Sequence, residues 1–491
     1  AVLLRQWKDS LHFLALAAAV MLVWNPYWLF TASFQLSFII SAGIILGVPT
    51  LSVRIAKGPL FLRQTLAVTF VAQLCSFPLI IYYFNEFSLL SGLANLVVVP
   101  AVSVFVIPLS FITVILAAIA VPLAFLPAKL NALVIDGVLF VSDMLVKWEP
   151  LHLVWATPSL YWVYVYYVLL GLLYVWWLKY PINSVRLWPR VSLLILFAAI
   201  VFIAYYPYPW WNRSLAVTFL DVGQGDAIVV ETPQRQTLVI DAGGKLFFEE
   251  EPWQVRRDPF DVGKDVVVPF LRHKGIRHVD YLFMSHGDAD HIGGMQAIVE
   301  NVPVHTFIRG PDTVEPSVVE QELLLSLKER QVPLYRGESG TGWEIEPGLT
   351  IQFLQPDIEK VAASDRNAQS LVLRLVYQGR SIILPGDADE AVERQIIEDW
   401  DIPPVDVLKA GHHGSGSSTG EAWLQAIRPR VTVLSLGENN RYNHPHPDVL
   451  DRLEQVGSTI YRTDRQGGIV VQIDHKGTLT VVPTIEPIID G

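Results

Sequence analysis

The 491-residue chain has a single cysteine, Cys75, set inside an apolar run. That excludes a disulfide framework or a thiolate-built metal site within one copy, and it leaves the redox compartment open. Charge is also scarce: 17% of residues are charged against 52% hydrophobic, and the mean hydropathy of +0.39 is too apolar for an ordinary water-soluble protein. The shortage is local. Residues 1–213 hold 11 Lys+Arg and 5 Asp+Glu, a net of +6, whereas residues 214–491 hold 25 and 42, a net of −17. The two stretches are built for different solvents, so a polytopic membrane domain is expected over 1–210 and an acidic, water-soluble domain over 214–491. The front of the chain lacks an initiator methionine and a signal peptide, and the sequence reads as a piece of a longer protein.

The first stretch is dominated by runs close to the ~20 apolar residues that cross a bilayer. Spans are expected near 11–24, 28–50, 65–84, 101–120, 160–178 and 191–206, with aromatic residues such as Trp176-Trp177 and Tyr205-Tyr206 at their ends. Residues 88–108, SLLSGLANLVVVPAVSVFVIP, interrupt this pattern with Gly92, Asn95, Pro100 and Pro108. They fit a broken or re-entrant segment lining a wet pathway, and equally a kinked span packed on its neighbours. Asn95 and Pro100 are candidate pathway residues, together with Gln35 in FQLSF, whose plainer role is a hydrogen bond between helices. Asp136 and Asp143 share a helical face within 130–148, which fits a helix lying in the interface or a span with its polar residues turned inward. The basic residues Arg5, Lys8, Arg54, Lys57, Arg63, Lys179, Arg186 and Arg190 are expected on the cytoplasmic side. If 88–120 enters and returns as a broken hairpin, every loop obeys this positive-inside rule and the chain leaves outward after Tyr206; if 88–120 is a single crossing, one loop breaks it.

From Ser214 onward, short β-branched runs such as LAVTFLDV, TLVIDAG, VDYLFMS, SIILPGD and VDVLKAG alternate with helical patterns near 292–300, 317–330, 389–400, 419–427 and 447–456. Most of the runs end in Asp, Ser or Gly, which predicts a layered α/β domain with its site at strand ends. The densest cluster is His286-Gly287-Asp288-Ala289-Asp290-His291, delivered by a strand and followed by Gly293-Gly294 in the first turn of a helix. Two imidazoles and two carboxylates on one turn can converge on a point and hold divalent ions.

This spacing resembles the HxHxDH signature of the metallo-β-lactamase fold, an αββα sandwich, with Asp288 where the second His stands. The resemblance implies that Asp241, ending TLVIDAGG, orients a ligand from behind, and that Asp387, in ILPGDAD, bridges two metals. His412 or His413, in KAGHHGS, supplies the last imidazole, with His413 preferred. The third-motif His is missing, and Asn367, in NAQS, is the residue there most able to coordinate. One ion would then take Asp290, His291, Asp387 and the late His. The other would take His286, Asp288, Asp387 and Asn367, an oxygen-rich set that suits Mn²⁺ or Mg²⁺ as well as Zn²⁺. Asp290 and His444 are the catalytic candidates. His444, in NRYNHPHP, is a proton donor or phosphate contact, or else a structural loop residue. Ser415 and Ser417, in GSGSS, are phosphate contacts or parts of a plain flexible loop.

FLDVGQGDA, HGDADHIGG, LPGDAD, LKAGHHGS and NHPHP, in that order, resemble the ComEC family of competence DNA-uptake proteins, as do FQLSF and LLSGLANLVVVP in the apolar half. The resemblance implies a multi-pass protein of the bacterial cytoplasmic membrane whose helices form a channel for single-stranded DNA. It also implies an extracytoplasmic deoxyribonuclease domain that degrades the other strand with two divalent ions. The implied partners are DNA, the lipid bilayer, other competence proteins and further copies of the chain. The family's first membrane helices and a small OB-like domain are expected to precede this sequence. A net charge of −17 suits DNA poorly, although Arg256-Arg257 and the stretch from Arg272 to Arg277 are local basic clusters. Two rivals stand beside this reading: a membrane-anchored hydrolase of a small ester or nucleotide, and a channel with an inert hydrolase-like domain.

Overall fold

A computed structural model describes residues 10–54, 59–146, 152–179, 194–202, 214–244, 259–311, 316–357 and 366–486. The chain divides into two compact units, Ala1–Pro207 with Arg272–Gly275, and Tyr208–Leu271 with Ile276–Gly491.

The first unit consists of apolar helices: α1 (Ser10–Trp24), α2 (Ala32–Arg54), α3 (Leu60–Phe84), α4 (Ser91–Ala101), α5 (Ile107–Ile119), α6 (Val121–Val146), α7 (Leu160–Lys179) and α8 over 194–202. Among the described residues, four stretches are long and apolar enough to cross a membrane: Ala32–Val53, Leu60–Phe84, Ser91–Ile119 and Val121–Leu145. Gly43 and Gly47 let α2 lie close on α3, because a Cβ at either would press on Cys75 or Val71. Gln35 ties the same pair of helices, donating to the Leu29 carbonyl at 2.9 Å and accepting from the Tyr83 hydroxyl at 3.1 Å.

Residues 88–108 do not form a re-entrant segment. α4 continues through Pro100 into a π turn at Val102–Val106 and then into α5, giving one helix over Ser91–Ile119. The widened turn sits just ahead of Pro108, where the Ile107 N–H bonds back to the Val102 carbonyl, and it makes room for that proline's ring and missing N–H, so the helix bulges instead of stopping. Asn95 is exposed on this helix. Nor is 130–148 a separate surface helix, since its described part is the second half of α6. β1 (Glu86–Ser88) and β2 (His152–Val154) pair antiparallel, so the segments before α4 and after α6 lie side by side. Arg5, Lys8, Lys57, Arg186, Arg190, Tyr205, Tyr206, Arg256 and Arg257 lie outside the described residues.

The second unit is built on two facing sheets. One has eight strands in the order β17 (Leu479–Pro483), β16 (Ile469–Ile473), β3 (Leu215–Phe219), β4 (Ala227–Glu231), β5 (Thr237–Ala242), β6 (Val279–Met284), β7 (Val304–Arg309) and β8 (Leu334–Arg336). The other has seven: β15 (Thr459–Arg462), β14 (Val431–Leu434), β13 (Val407–Lys409), β12 (Arg380–Leu384), β11 (Val372–Tyr377), β10 (Leu349–Gln355) and β9 (Gly342–Glu346). Phe219, Phe283, Ile351, Leu373, Leu384 and Val407 fill the space between them. On the outer face of the first sheet lie α9 (Val268–His273), α10 (Ala289–Ile292), α11 (Met295–Asn301) and α12 (Val318–Glu329). The second sheet is covered by α13 (Glu390–Asp399), α14 (Glu421–Ile427) and α15 (Pro447–Gln455). The result is an αββα sandwich. Every residue of β3 is buried because helices cover its sheet on one side and the partner sheet on the other, which is why the run carries no polar alternation.

Candidate metal centre

The site gathers where strands of both sheets end. β5 ends around Asp241, β6 leads through Ser285 to His286, β12 leads to Asp387, and β13 ends at Lys409 before His412-His413. Close backbone approach explains the glycines. A Cβ at Gly225 would overlap the Asp290 carbonyl, and one at Gly294 would overlap the Ala242 carbonyl. Asp241, His412 and His413 all take left-handed backbone conformations, at φ 56°, 45° and 55°. For residues with a Cβ this costs about 1–3 kcal/mol each, and the surrounding packing sustains it.

The imidazoles are held from behind. His291 donates from Nδ1 to Asp241 at 2.8 Å, and its Nε2 lies 3.2 Å from Asp387. His413 donates from Nδ1 to the Ser435 carbonyl at 2.9 Å. Its Nε2 then sits 3.5 Å from Asp387 and 3.6 Å from Asp290. His286 contacts the Ser285 hydroxyl through Nδ1 at 3.0 Å, with Nε2 3.6 Å from Asp288. A second-layer partner on Nδ1 fixes the tautomer and turns the Nε2 lone pair inward. His412 differs: it is half-buried, and its Nε2 is 3.7 Å from Asp387.

Nε2 of His286, His291 and His413 and Oδ1 of Asp387 are buried without a hydrogen-bond partner. His286, His291 and Asp387 present ligand atoms within 4.8 Å of one another, and so do Asp290, His291 and His413. Charge points the same way. Asp226, Asp241 and Asp387 are buried and Asp290 nearly so, and Lys409, buried among them, pairs with Asp226. With neutral imidazoles this leaves a surplus of negative charge away from water, which cations relieve. The titration of the bare site reflects that surplus. Burial alone would lower His413, but Asp387 and Asp226 push it up to about 9. His291 is raised well above its usual value against burial, by Asp387 and Asp241. Burial would raise Asp387, but His291 and His413 hold it well below the usual carboxylate range. The residues present therefore fit divalent ions.

Above these groups opens a cleft of ≈ 460 Å³ lined by, among others, Asp288, Asp290, Arg366, His412, Tyr442 and His444. Asp288 is held by His286 first and by Arg366, which approaches to 3.2 Å, and its pKa falls to about 2. His444 is lowered to about 4 by burial and by the neighbouring His412 and His413. Its ring stacks on Tyr442 with centroids 5.6 Å apart and meets His412 edge-on at 5.9 Å. Asn367 opens a short 3-10 turn and is not among the cleft-lining residues, whereas its neighbour Arg366 is. Ser415 and Ser417 share a hydrogen bond at 3.0 Å and are likewise absent from the lining.

Residues 1–180 match the Competence protein family, and residues 220–438 match the metallo-β-lactamase superfamily. The chain joins a competence-protein domain to a metallo-β-lactamase domain. It is 31% identical over 495 residues to ComE operon protein 3 of Bacillus subtilis, covering 97% of this chain and 60% of that protein. It is 30% identical over 277 residues to competence protein ComA of Neisseria gonorrhoeae, covering 56% of this chain and 35% of that one. Among solved structures, the diiron β-hydroxylase CmlA of Streptomyces venezuelae aligns over 55% of this chain and 57% of its own at TM-score 0.34 and 14% identity.

Three residues of this metallo-β-lactamase domain were not singled out from the sequence. Asp226 takes the Lys409 ammonium and lies 3.4 Å from His413 Nδ1. Lys409 also donates to the Gly386 carbonyl at 2.9 Å, next to Asp387. Arg366 restrains Asp288. Their positions inside GQGDA, LKAGHHGS and RNAQS were the only available clue.

Proposed function

We propose that the helical unit passes single-stranded DNA inward across the bacterial cytoplasmic membrane, and that the metallo-β-lactamase domain, on the outer side, degrades the strand left behind as a metal-dependent deoxyribonuclease. The hydrolase reading rests above all on the three partnerless Nε2 atoms that converge with Asp387 beneath an open cleft. In this reading Asp290, His291 and His413 hold one divalent ion, and His286 and Asp387 anchor a second with Asp288. Zn²⁺ or Mn²⁺ held there, or Mg²⁺, supplies Lewis acidity toward a phosphodiester oxygen and makes water a better nucleophile at neutral pH. Asp241 and the Ser435 carbonyl keep the imidazole lone pairs aimed inward, while Lys409 neutralises Asp226 so that it does not compete for the ions. Arg366 and His444 stand at the rim, where a phosphate oxygen or a departing oxygen would lie. The Tyr442 ring beside them offers a face on which a base can stack.

Transport draws on the first unit. Lys129, Asp136 and Asp143 recur every seven residues along α6 and are exposed. Ionisable side chains on a crossing helix belong against water or protein rather than lipid. The outward placement of the hydrolase draws on the β1–β2 pairing, which returns the chain to one side after α4–α5 and α6. With α1, α2, α3, α7 and α8 as crossings, Arg63 and Lys179 fall inside and Ser214 falls outside. Other competence proteins and further copies of the chain are partners in this reading.

Asp288 in place of an imidazole, already engaged by Arg366, favours a rival in which the second ion is weak and the domain is inert. One assay decides between them. The full chain in detergent, freed of metal and then given Mn²⁺, Zn²⁺ or Mg²⁺, is expected to cut linear DNA, and Asp290→Ala is expected to lower the rate at least about 100-fold. Absence of metal-dependent cutting with every ion, or cutting indifferent to Asp290, would sink the nuclease reading.

A further inference from the structure

A second group of ligating side chains lies at the other end of β6, away from the cleft. His278 precedes the strand, Asp280 is its second residue, and His305 stands on the neighbouring β7. The parallel register pairs Val279 with Val304 and Tyr281 with Thr306, so Asp280 and His305 come level without sequence proximity. Oδ1 of Asp280 is 3.5 Å from His278 Nε2 and 3.5 Å from His305 Nδ1. The two imidazoles stack at 4.6 Å with 23° between their planes, and the three ligand atoms fall within 4.8 Å of one another.

Those distances are too long for good N–H···O hydrogen bonds, which cluster at about 2.7–3.2 Å. They do suit ligands shared by one ion. Tetrahedral bonds of about 2.0–2.2 Å place neighbouring ligand atoms roughly 3.3–3.5 Å apart. The carboxylate is also preset. Its other oxygen, Oδ2, accepts the Thr237 backbone N–H at 2.7 Å, which turns Oδ1 toward the imidazoles. Both histidines are partly exposed, so a fourth position is open to water, and all three ligands sit at or beside paired strands rather than on a long loop.

We propose that His278, Asp280 and His305 form a separate metal site for a divalent ion of the zinc class. Two imidazoles and one carboxylate select a borderline transition ion such as Zn²⁺ over Ca²⁺ or Mg²⁺, which prefer all-oxygen shells. The six residues of β6 span about 20 Å at ~3.3 Å per residue, so this ion is remote from the cleft. It would clamp β6, which delivers His286 at its far end, to β7.

The test counts ions. The full chain in detergent is stripped with chelator, titrated with Zn²⁺ and its bound zinc measured, beside His278→Gln, His305→Gln and the double variant. The double variant is expected to bind one equivalent fewer than the parent while its zinc-dependent DNA cutting, where present, persists. Each single variant is expected to weaken that equivalent at least about tenfold. Both histidines are surface residues, and an unchanged far-UV circular dichroism spectrum verifies folding. An identical zinc count and affinity in the parent and the double variant would overturn the site and leave a stacked surface histidine pair.

Discussion

Along α5 the large side chains Phe111, Val114 and Ile119 are two-thirds exposed or more, whereas along β3 every side chain is buried. The contrast reverses for charge. The apolar helices carry few ionisable groups and leave Asp136 and Asp143 on their surface, while the metallo-β-lactamase domain buries His291, Lys409 and Asp226 completely or nearly so. Each arrangement would be unstable in the other's surroundings. An exposed apolar helix surface is at rest in hydrocarbon, and a buried cluster of charges is tolerated only where partners or metal ions balance it. One chain thus contains two definitions of "inside", and the composition break near residue 213 marks the change between them.

The comparison makes its largest prediction in the core of the sandwich. Phe283 is fully buried between the sheets, so Phe283→Ala is expected to cost about 3–5 kcal/mol in denaturant unfolding of the full chain in detergent. Phe140→Ala, at an exposed position of α6, removes a ring from lipid-like surroundings and should change stability far less. Equal losses would mean that the exposed face of α6 is packed against protein.

A smaller effect separates two exposed positions that look alike by accessibility. Phe111→Arg places a charge on the apolar surface of α5, where insertion is expected to lose about 2.5–3.5 kcal/mol, read as the fraction of chain integrated into membranes. Leu325→Arg, on the exposed face of α12, meets water and should stay within about 0.5 kcal/mol in the same denaturant measurement. Normal integration of Phe111→Arg would show that this part of α5 does not meet lipid.

Much of this was legible in the sequence because it depends on residue type and local spacing. The apolar runs foretold the helices, the β-branched runs ending in small or acidic residues foretold strands, and HGDADH concentrated its candidate ligands on one turn. What stayed hidden depends on distance or local geometry. Pro100 and Pro108 read as breaks, and only the backbone shows the π turn between them that keeps the helix continuous. Lys409 looks like an ordinary cation at a strand end until burial beside Asp226 gives it a partner. Arg366, next to the expected Asn367, is the residue that reaches the cleft, a difference of one position that only the turn's geometry sets. His278 and His305 are brought together by parallel pairing of β6 and β7, which sequence proximity does not reveal.

The buried charges give the smallest of these effects, and its sign is definite. In the metal-free protein His413 is raised from its ordinary 6.5 to about 9 by Asp387 and Asp226, against the opposing effect of burial. His291 is raised in the same direction. A raised imidazole contributes stability that is fully present below pH 6.5 and is lost as pH climbs through its folded value. Asp387 has the opposite dependence, but its depressed pKa keeps it ionised throughout this range, so it adds no slope there. The Tm of chelator-treated protein is therefore expected to fall by several degrees between pH 6.5 and 9. Ions held by neutral imidazoles leave no such protons to lose, so the zinc-loaded protein should keep its Tm over the same window. Parallel declines with and without zinc would mean that the pH dependence arises elsewhere and that the imidazole cluster is not where the ion binds.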